Sequence, residues 1–461
     1  MKVAIVGSGI SACACAVRLK EMGIPFTIFE RMASPGGKLL TETIDGFTIE
    51  AGPDSFLPEK PWTLDLIRKI GIEGDLLCTN DEHKGTYIYS RGRLHRLPEG
   101  VMLMVPTMIT PLLRSRLITL RGKMRMGMEF FLPARQDEAD ESLARFVTRR
   151  LGRECLEKIA EPLVAGIHTS NPDNMSVKAI FPRFLDMEKK YGSLIRGMVK
   201  SMKRAKPPGE GEKKMTYFMS LKRGMQELVD SSVAFMGPEN IALSSEVRRV
   251  ARGRVGYDVS IGAEKMAFDA VVLTTPSYVT AELIRDMAPS LAIQLSAIEW
   301  SSTATMSLAF KGEDISSGLP GFGFIVPRIE GRRINAATWS SLKWPLRAPS
   351  DSILVRSFVG GGHDEDLVSY PDEDLLSIVL GELKEIAGIA ARPLFSKIYR
   401  WERSMPRYTV GHLERIAAMD EALKAHPGLH LIGSSYRGIG IGDCVRSGFE
   451  AAKGIVASMR P

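Results

Sequence analysis

The sequence predicts an α/β protein whose N-terminal part forms a parallel sheet, and two observations support this. A continuous apolar strand at residues 2–6, a glycine turn, an amphipathic helix at 13–22 and a second strand at 26–29 follow one another. This order within about thirty residues is the βαβ unit of parallel sheets. Of the 461 residues, 44% are apolar and 25% are charged, a composition that excludes collagen-like, low-complexity and coiled-coil chains. A chain of this length folds into two or three domains.

The remaining elements indicate a helical insertion between two sheet-forming parts of the chain. Residues 83 to about 207 are Met-rich, basic and mostly helical, and the polar Pro/Gly-rich stretch 206–214 is typical of a connector or mobile loop. The individual predictions are helices at 142–151 and 153–164, strands at 255–261 and 270–274, mixed structure with sheet from about 300 to 392, and a final strand, turn and helix at 429–459.

A glycine-rich turn of the form G-x-G-x-x-A joins the first strand to the first helix. Gly7 permits the tight turn, Gly9 lets phosphates approach the backbone, and Ala12 stands where helix and strand pack closely. Glu30, at the end of the second strand, is placed to accept hydrogen bonds from a ribose hydroxyl. The pattern predicts a dinucleotide pyrophosphate at the helix N-terminus, and a glycine turn without a nucleotide is the alternative. The turn comprises Gly7, Ser8, Gly9, Ile10, Ser11 and Ala12.

The next segments distinguish a flavin dinucleotide from a nicotinamide one. A second glycine pair, Gly36 and Gly37, precedes Lys38, and a Gly-Pro-Asp-Ser turn follows at 52–55. In these segments the chain resembles the flavin amine oxidase superfamily. The resemblance implies FAD as cofactor, held by residues around both glycine turns. The residues assigned in this way are Arg31, Gly37, Lys38, Gly52, Pro53, Asp54 and Ser55.

Further segments at 50–57, 93–98, 161–167 and 431–448 are similar to the porphyrinogen oxidases of heme synthesis, and the resemblance covers essentially the full length. It implies an FAD-dependent oxidoreductase that removes hydride from a porphyrinogen meso carbon, with O2 as acceptor. It also assigns Val247 to the adenine and Trp401 to the isoalloxazine, although core packing explains both residues equally well. Ile439, Gly440 and Ile441 are expected to start the last helix beside the flavin, where the helix dipole stabilises negative charge.

The expected architecture is an α/β fold with a discontinuous Rossmann-like FAD-binding domain, a mixed-sheet substrate-binding domain and a helical domain. The predicted segments are 1–82, 215–280 and 395–461 for the FAD-binding domain, 83–214 for the helical domain and 281–394 for the substrate-binding domain.

The sequence identifies no general base, so the catalytic residue is left open. Lys84 and His168 are the candidate substrate residues. Protoporphyrinogen-type relatives often carry an arginine that anchors a propionate at the position of Thr86, and its absence slightly favours coproporphyrinogen III over protoporphyrinogen IX. Lys84, Arg91 or Arg93 could replace this anchor, but a solvated charge is the simpler interpretation of each.

Composition limits the partners and the compartment. Five cysteines, an odd number without ligand spacing, predict a reducing compartment and no metal. No signal peptide is recognised, so a cytoplasmic location is expected. The net charge of +7 fits an acidic ligand or an anionic membrane surface, and a basic surface without such a partner explains it equally well. No nucleic acid is expected. The oligomeric state is left open.

The basic and apolar stretch 113–128 could lie peripherally on the inner face of the membrane. A helical domain covering the substrate pocket is the alternative for this stretch. A related flavin-dependent amine oxidase or desaturase is the alternative activity, and a non-enzymatic scaffold of the same fold is a third possibility.

Overall fold

The computed structural model describes residues 1–102, 104–204, 215–315, 318–362 and 364–457. These residues belong to two units. The first contains Met1–Thr79, Met215–Glu299 and Leu413–Pro461, and the second contains Asn80–Lys214 and Trp300–His412. The predicted connector at 206–214 lies outside the described residues.

The strands are numbered in chain order. They are β1 (Val3–Val6), β2 (Phe26–Phe29), β3 (Thr41–Ile44), β4 (Phe47–Glu50), β5 (Leu76–Cys78), β6 (Tyr87–Ser90), β7 (Arg93–Arg96), β8 (Val101–Met102), β9 (Val105–Pro106), β10 (Met219–Leu221), β11 (Ile241–Ala242), β12 (Val247–Arg252), β13 (Tyr257–Ile261), β14 (Glu264–Phe268), β15 (Ala270–Leu273), β16 (Glu299–Lys311), β17 (Gly323–Ile325), β18 (Ala336–Trp339), β19 (Ser352–Gly360), β20 (Phe395–Arg407) and β21 (Leu429–Leu431).

The α-helices are numbered in the same way. They are α1 (Ile10–Glu21), α2 (Pro61–Lys69), α3 (Ile109–Arg114), α4 (Leu120–Gly127), α5 (Leu143–Arg150), α6 (Arg153–Cys155), α7 (Glu161–His168), α8 (Val177–Ile180), α9 (Pro182–Tyr191), α10 (Leu194–Arg204), α11 (Glu227–Met236), α12 (Ser277–Ile284), α13 (Pro289–Ser296), α14 (Ser340–Lys343), α15 (Asp372–Ala387), α16 (His412–Leu423) and α17 (Ile441–Ala457).

A five-stranded sheet in the order β11-β2-β1-β15-β21 forms the centre of the first unit. All four pairings are parallel, and Val3 of β1 is in register with Phe26 and with Ala270. Every residue of β1 and β15 is buried, as expected for parallel strands covered on both faces. α1 packs against α17 so closely that a Cβ on Gly448 would lie 2.4 Å from the Ser11 carbonyl oxygen.

The second unit contains a seven-stranded sheet in the order β20-β16-β19-β18-β17-β6-β7. β6 runs parallel to β17 and antiparallel to β7, and Arg91 and Gly92 both have positive φ in the turn between β6 and β7. This geometry is that of a type I′ hairpin turn. Helices of the same unit enclose a separate apolar core that includes Phe146 and Phe184.

A fully buried ion pair lies within the helical part of the second unit. Arg150 of α5 donates from Nε to Glu129 at 3.0 Å, and both side chains are inaccessible to solvent. Glu129 also accepts hydrogen bonds from the Ser193 hydroxyl at 2.6 Å and the Leu194 amide at 2.8 Å. The pair therefore joins α5, α10 and the 3₁₀ turn Met128–Phe131.

The predicted α/β class is confirmed. The hairpin β6–β7, in the segment predicted to be mostly helical, contributes two strands to the seven-stranded sheet. β20, in the last segment predicted for the FAD-binding domain, is also a strand of that sheet. The predicted helix at 153–164 is interrupted by a π-helical turn at Leu156–Ala160. The assignment of separate helical and substrate-binding domains stays a prediction.

Every helix in the described ranges is too short or too polar to span a bilayer.

Candidate functional site

The glycine turn between β1 and α1 is shaped for a ligand that approaches the backbone. Gly7 has φ +95°, and a Cβ there would lie 2.6 Å from the Thr274 hydroxyl oxygen. A Cβ on Gly9 would meet no heavy atom of the described residues within 4 Å, so this side of the turn is open. Since Gly9 caps α1 without a side chain, the first amides of the helix are available to an anion.

Glu30 is fixed beside this turn by three hydrogen bonds. Its Oε2 accepts from the amide of Ser8 at 2.9 Å and from the Ser8 hydroxyl at 2.7 Å, and its Oε1 accepts from the Met32 amide at 2.9 Å. The Ser8 carbonyl in turn accepts from the Gly36 amide at 3.2 Å. Ser8 therefore links the first glycine turn, the acid and the second glycine turn. Ser8 is not among the residues predicted to hold the cofactor, although its hydroxyl between the two glycines is visible in the sequence.

Close backbone approaches also explain the second glycine turn and the segment after β4. A Cβ on Gly37, whose φ is +60°, would lie 3.6 Å from the Gly9 Cα. A Cβ on Gly52 would lie only 1.8 Å from the Lys38 carbonyl oxygen. Three stretches distant in sequence thus meet backbone to backbone, and side chains larger than hydrogen would close the space between them.

Cys444, near the start of α17, interacts with Ser11 of α1 and with Lys38 after the second glycine turn. Burial lowers the pKa of Lys38 to about 8. Burial also raises the pKa of Cys444 to about 11, while the Ser11 hydroxyl and the Lys38 charge act in the opposite direction. Cys444 therefore stays a neutral thiol near pH 7. These three residues come from α1, the second glycine loop and α17, so the N-termini of both helices face one region.

The last helix begins one or two residues later than predicted. α17 starts at Ile441, and Ile439 and Gly440 precede it, with the Gly440 carbonyl accepting from the Cys444 amide at 3.0 Å. Asp443 in the first turn forms an ion pair with Lys60. Asp443 was not among the predicted residues, although an acid in the first helical turn was a visible signal.

The remaining residues predicted in the first unit surround this region. The Asp54 side chain accepts from the Ser55 hydroxyl at 2.7 Å, and its carbonyl accepts from the Ser220 hydroxyl at 2.8 Å. Val247 is buried at the start of β12. Two residues before it, the amide of Ser245 donates to the Glu30 carbonyl at 2.7 Å. Ile10 and Ala12 are buried in α1, while Arg31 and Pro53 are exposed.

Three predicted residues belong to the second unit. Trp401 is half-buried on β20, and Lys84 is exposed before β6. His168 is the last residue of α7, and its side chain lies outside the described part of the structure. Thr86 is half-buried, and its carbonyl accepts from the Leu97 amide at 2.9 Å.

The first unit fits an FAD molecule. The cradle around Gly9, Gly37 and Gly52 has the narrow backbone-lined form that a Cβ would fill, and α1 supplies amides for a pyrophosphate. Glu30 is a buried acid at the end of β2, where a dinucleotide places its ribose. The two helix N-termini favour the negative charge of a phosphate and of a reduced flavin.

Comparison with known proteins agrees with this geometry. A family described as flavin containing amine oxidoreductase matches residues 9–456. Coproporphyrinogen III oxidase from Bacillus subtilis (strain 168) is 34% identical over 97% of this chain and 96% of its own length. Protoporphyrinogen oxidase 2, chloroplastic/mitochondrial, from Arabidopsis thaliana is 26% identical over 99% of this chain and 94% of its own length.

A crystal structure of a protein from Exiguobacterium sp. 255-15 is 32% identical, with a TM-score of 0.87 and coverage of 99% of both chains. The family match, at residues 9–456, extends from the first glycine turn into α17. These two parts of the chain are in contact at Ser11 and Gly448. The cradle and this match along almost the whole sequence show that the chain belongs to the flavin-containing amine oxidoreductases and that its cofactor is FAD.

Proposed function

We propose that this protein is an FAD-dependent porphyrinogen oxidase and that its substrate is coproporphyrinogen III. The observation that carries the proposal is the identity of 34% with the Bacillus subtilis coproporphyrinogen III oxidase over 97% of this chain. The Arabidopsis thaliana protoporphyrinogen oxidase 2 is less similar, at 26% identity over 99% of the chain. The higher identity agrees with the preference derived from Thr86.

The residues of the cradle account for binding and orientation of the cofactor. Bound FAD supplies the acceptor for hydride leaving a porphyrinogen meso carbon, with O2 as the final oxidant. The open face of Gly9 and the amides of α1 hold the pyrophosphate, and Glu30 holds the adenosine ribose. Lys38, with a pKa of about 8, carries a proton at neutral pH and places positive charge beside Cys444 at the start of α17. The assignments of Val247 to the adenine and Trp401 to the flavin ring remain part of the proposal.

Turnover of separate substrates tests the proposal. The purified yellow protein is given coproporphyrinogen III or protoporphyrinogen IX in air, and porphyrin fluorescence is followed above the rate of spontaneous oxidation. Faster oxidation of coproporphyrinogen III is the expected result. A preference for protoporphyrinogen IX contradicts the substrate assignment, whereas no oxidation of either by protein with reducible flavin contradicts the activity.

We also propose that the second unit contacts an anionic membrane surface peripherally. The apolar side chains that the structure leaves exposed include Leu120, Met124 and Phe131, with exposed fractions of 69%, 57% and 82%. Arg114, Arg116 and Arg121 are exposed along the same stretch. Exposed apolar and basic groups together favour the interface of an anionic bilayer.

Some residues of the stretch 113–128, which was predicted to lie on the membrane, are instead buried or bonded to other parts of the second unit. Leu117, Ile118 and Met126 are buried. Arg125 donates to the carbonyls of Arg149 at 2.7 Å and of Arg150 at 3.1 Å, so it binds the C-terminal end of α5. The membrane surface is therefore restricted to the residues that remain exposed, and a position on the inner face of a cytoplasmic membrane stays a prediction.

Sedimentation with vesicles tests the contact. The wild-type protein is expected to sediment with phosphatidylglycerol vesicles at low salt and to remain in the supernatant with phosphatidylcholine. Phe131→Ser weakens sedimentation, whereas Val255→Ser, which removes a side chain 77% exposed in the first unit, is the matched control. Equal sedimentation of both variants, or none of the wild type, contradicts the contact.

A further inference from the structure

Ser8 is buried between the two glycines of the first turn, beside the acid that follows β2. Its side chain is inaccessible to solvent, and Glu30 is 8% exposed. The Ser8 hydroxyl donates to Glu30 Oε2 at 2.7 Å and accepts from the Gly36 amide at 3.3 Å. Because an amide only donates and a carboxylate only accepts, the single hydroxyl proton of Ser8 points to Glu30. The orientation of this hydroxyl is therefore determined on both sides.

The two carboxylate oxygens of Glu30 are not equivalent. Oε2 accepts from both the amide and the hydroxyl of Ser8, at 2.9 and 2.7 Å. Oε1 accepts one hydrogen bond from the described residues, which comes from the Met32 amide at 2.9 Å. A carboxylate has about two acceptor positions on each oxygen. Both positions of Oε2 are thus occupied by Ser8, whereas one position of Oε1 is left for a ligand.

Ser8 also lies next to the part of the cradle that is open to a pyrophosphate. Gly9 follows it directly, and Gly9 pairs with Gly36 in an isolated parallel bridge. The Gly36 amide donates to the Ser8 carbonyl as well, at 3.2 Å. Ser8 therefore contacts the acid through its side chain and the second glycine turn through its carbonyl and its hydroxyl. A hydroxyl in this place couples the orientation of Glu30 to the backbone of both turns.

We propose that Ser8 is a positioning residue for the adenosine half of FAD: by filling Oε2, its hydroxyl directs Oε1 of Glu30 to the ribose 2′-hydroxyl. The inference goes beyond the proposed function, because it concerns the cofactor and not the substrate. Without the Ser8 hydroxyl, Oε2 also has a free position, and the carboxylate becomes fully ordered only when FAD binds. Ordering a side chain on binding lowers affinity.

A cofactor analogue tests this role without turnover. FAD, and FAD that lacks the 2′-hydroxyl of its adenosine ribose, are titrated separately into flavin-free protein while flavin fluorescence is followed. The wild type should bind the analogue about tenfold or more weakly, the effect of one hydrogen bond to a carboxylate. Ser8→Ala should raise the dissociation constant of FAD about three- to tenfold, the effect of ordering one side chain. Its dissociation constant for the analogue should change much less, so the ratio of the two constants falls.

Ser232→Ala is the matched control. Ser232 is also fully buried in the first unit, and its hydroxyl donates to the Leu228 carbonyl at 2.6 Å within α11. This variant loses a buried serine hydroxyl outside the glycine turns, so its ratio should equal that of the wild type. The proposal is overturned if the wild type binds both cofactors equally or if Ser8→Ala keeps the wild-type ratio. An equal fall of the ratio in Ser232→Ala overturns it too.

A crystal structure of the wild type with FAD tests the same assignment without a variant, and it decides the question if Ser8→Ala does not fold. The ribose 2′-hydroxyl is expected within hydrogen-bond distance of Glu30 Oε1, with the Ser8 hydroxyl still on Oε2. A ribose hydroxyl bound to Oε2 alone, or a Ser8 hydroxyl turned to another acceptor, refutes the role of Ser8. Neither experiment uses a porphyrinogen, so failure of the proposed activity is distinguished from failure of this inference.

Discussion

Replacement of Glu30 by glutamine tests the link between the acid and the FAD cradle. In the wild type, the two carboxylate oxygens accept three hydrogen bonds, from the Ser8 amide, the Ser8 hydroxyl and the Met32 amide, at 2.9, 2.7 and 2.9 Å. A glutamine side chain keeps the size of the group but presents one NH2 where an acceptor is required. At least one donor then points at another donor in a buried position.

The expected cost follows from the number and kind of bonds lost. A hydrogen bond to a charged group contributes about 1.5–3 kcal/mol, and Glu30→Gln loses at least one. If the whole cost fell on cofactor binding, it would raise the dissociation constant of FAD about 10- to 150-fold. Because the three bonds are internal to the protein, part of the cost lowers the stability of the cofactor-free form instead. The two losses together should reach this range.

Two measurements on the same preparations therefore decide the outcome. FAD is titrated into flavin-free protein while flavin fluorescence is followed, and the urea midpoint is measured without FAD. Glu21→Gln is the control, since Glu21 forms only partly exposed ion pairs with Arg18 and Lys69 in the same unit. An FAD dissociation constant within threefold of wild type, together with an unchanged urea midpoint, refutes the assigned role of Glu30.

Three further changes have defined outcomes. Gly52→Ala places a Cβ 1.8 Å from the Lys38 carbonyl oxygen, so the purified protein should lose its yellow absorbance; full flavin content contradicts the close approach. Glu129→Gln leaves the buried Arg150 without its carboxylate and should lower the free energy of unfolding by about 3–5 kcal/mol, measured by urea denaturation; an unchanged midpoint contradicts this. Glu161 has a pKa raised from 4.5 to about 7, so its contribution to stability is lost as pH rises through 7. Glu161→Gln should therefore be more stable than wild type by about 3 kcal/mol at pH 8.5 and similar at pH 4.5, and a constant difference contradicts the shift.

The local part of the first unit could be predicted from the sequence, whereas its long-range part could not. The strand at Phe26–Phe29 agrees with the prediction, because apolar runs, a glycine turn and helical periodicity are local signals. The pairing of Val3 with Ala270 has no local signature, since any buried apolar strand could stand beside β1. The position of the hairpin β6–β7 in the second sheet depends in the same way on tertiary contacts.

In the candidate site, too, local sequence signals could be predicted, whereas contacts between distant segments could not. Gly7, Gly9 and Glu30 were predicted because each satisfies a geometric requirement of a dinucleotide at a fixed spacing, and their contacts with the cofactor stay a prediction. Ser8 and Asp443 stand at visible positions in the sequence, but their pairing with Glu30 and Lys60 could not be predicted, because distant segments supply these partners. The pKa of Glu161 has the same origin, since burial by distant segments raises it.

The contact between α1 and α17 has a consequence for how the protein is made. Gly448 packs on the Ser11 carbonyl, and β1 is completed on one side by β15, so the cradle combines segments that are far apart in the order of synthesis. A growing chain on the ribosome lacks one wall of the cofactor site until α17 has emerged. Stable binding of FAD is therefore expected only after α17 has been synthesised, so that the supply of flavin acts at a later stage than the formation of β1 and α1.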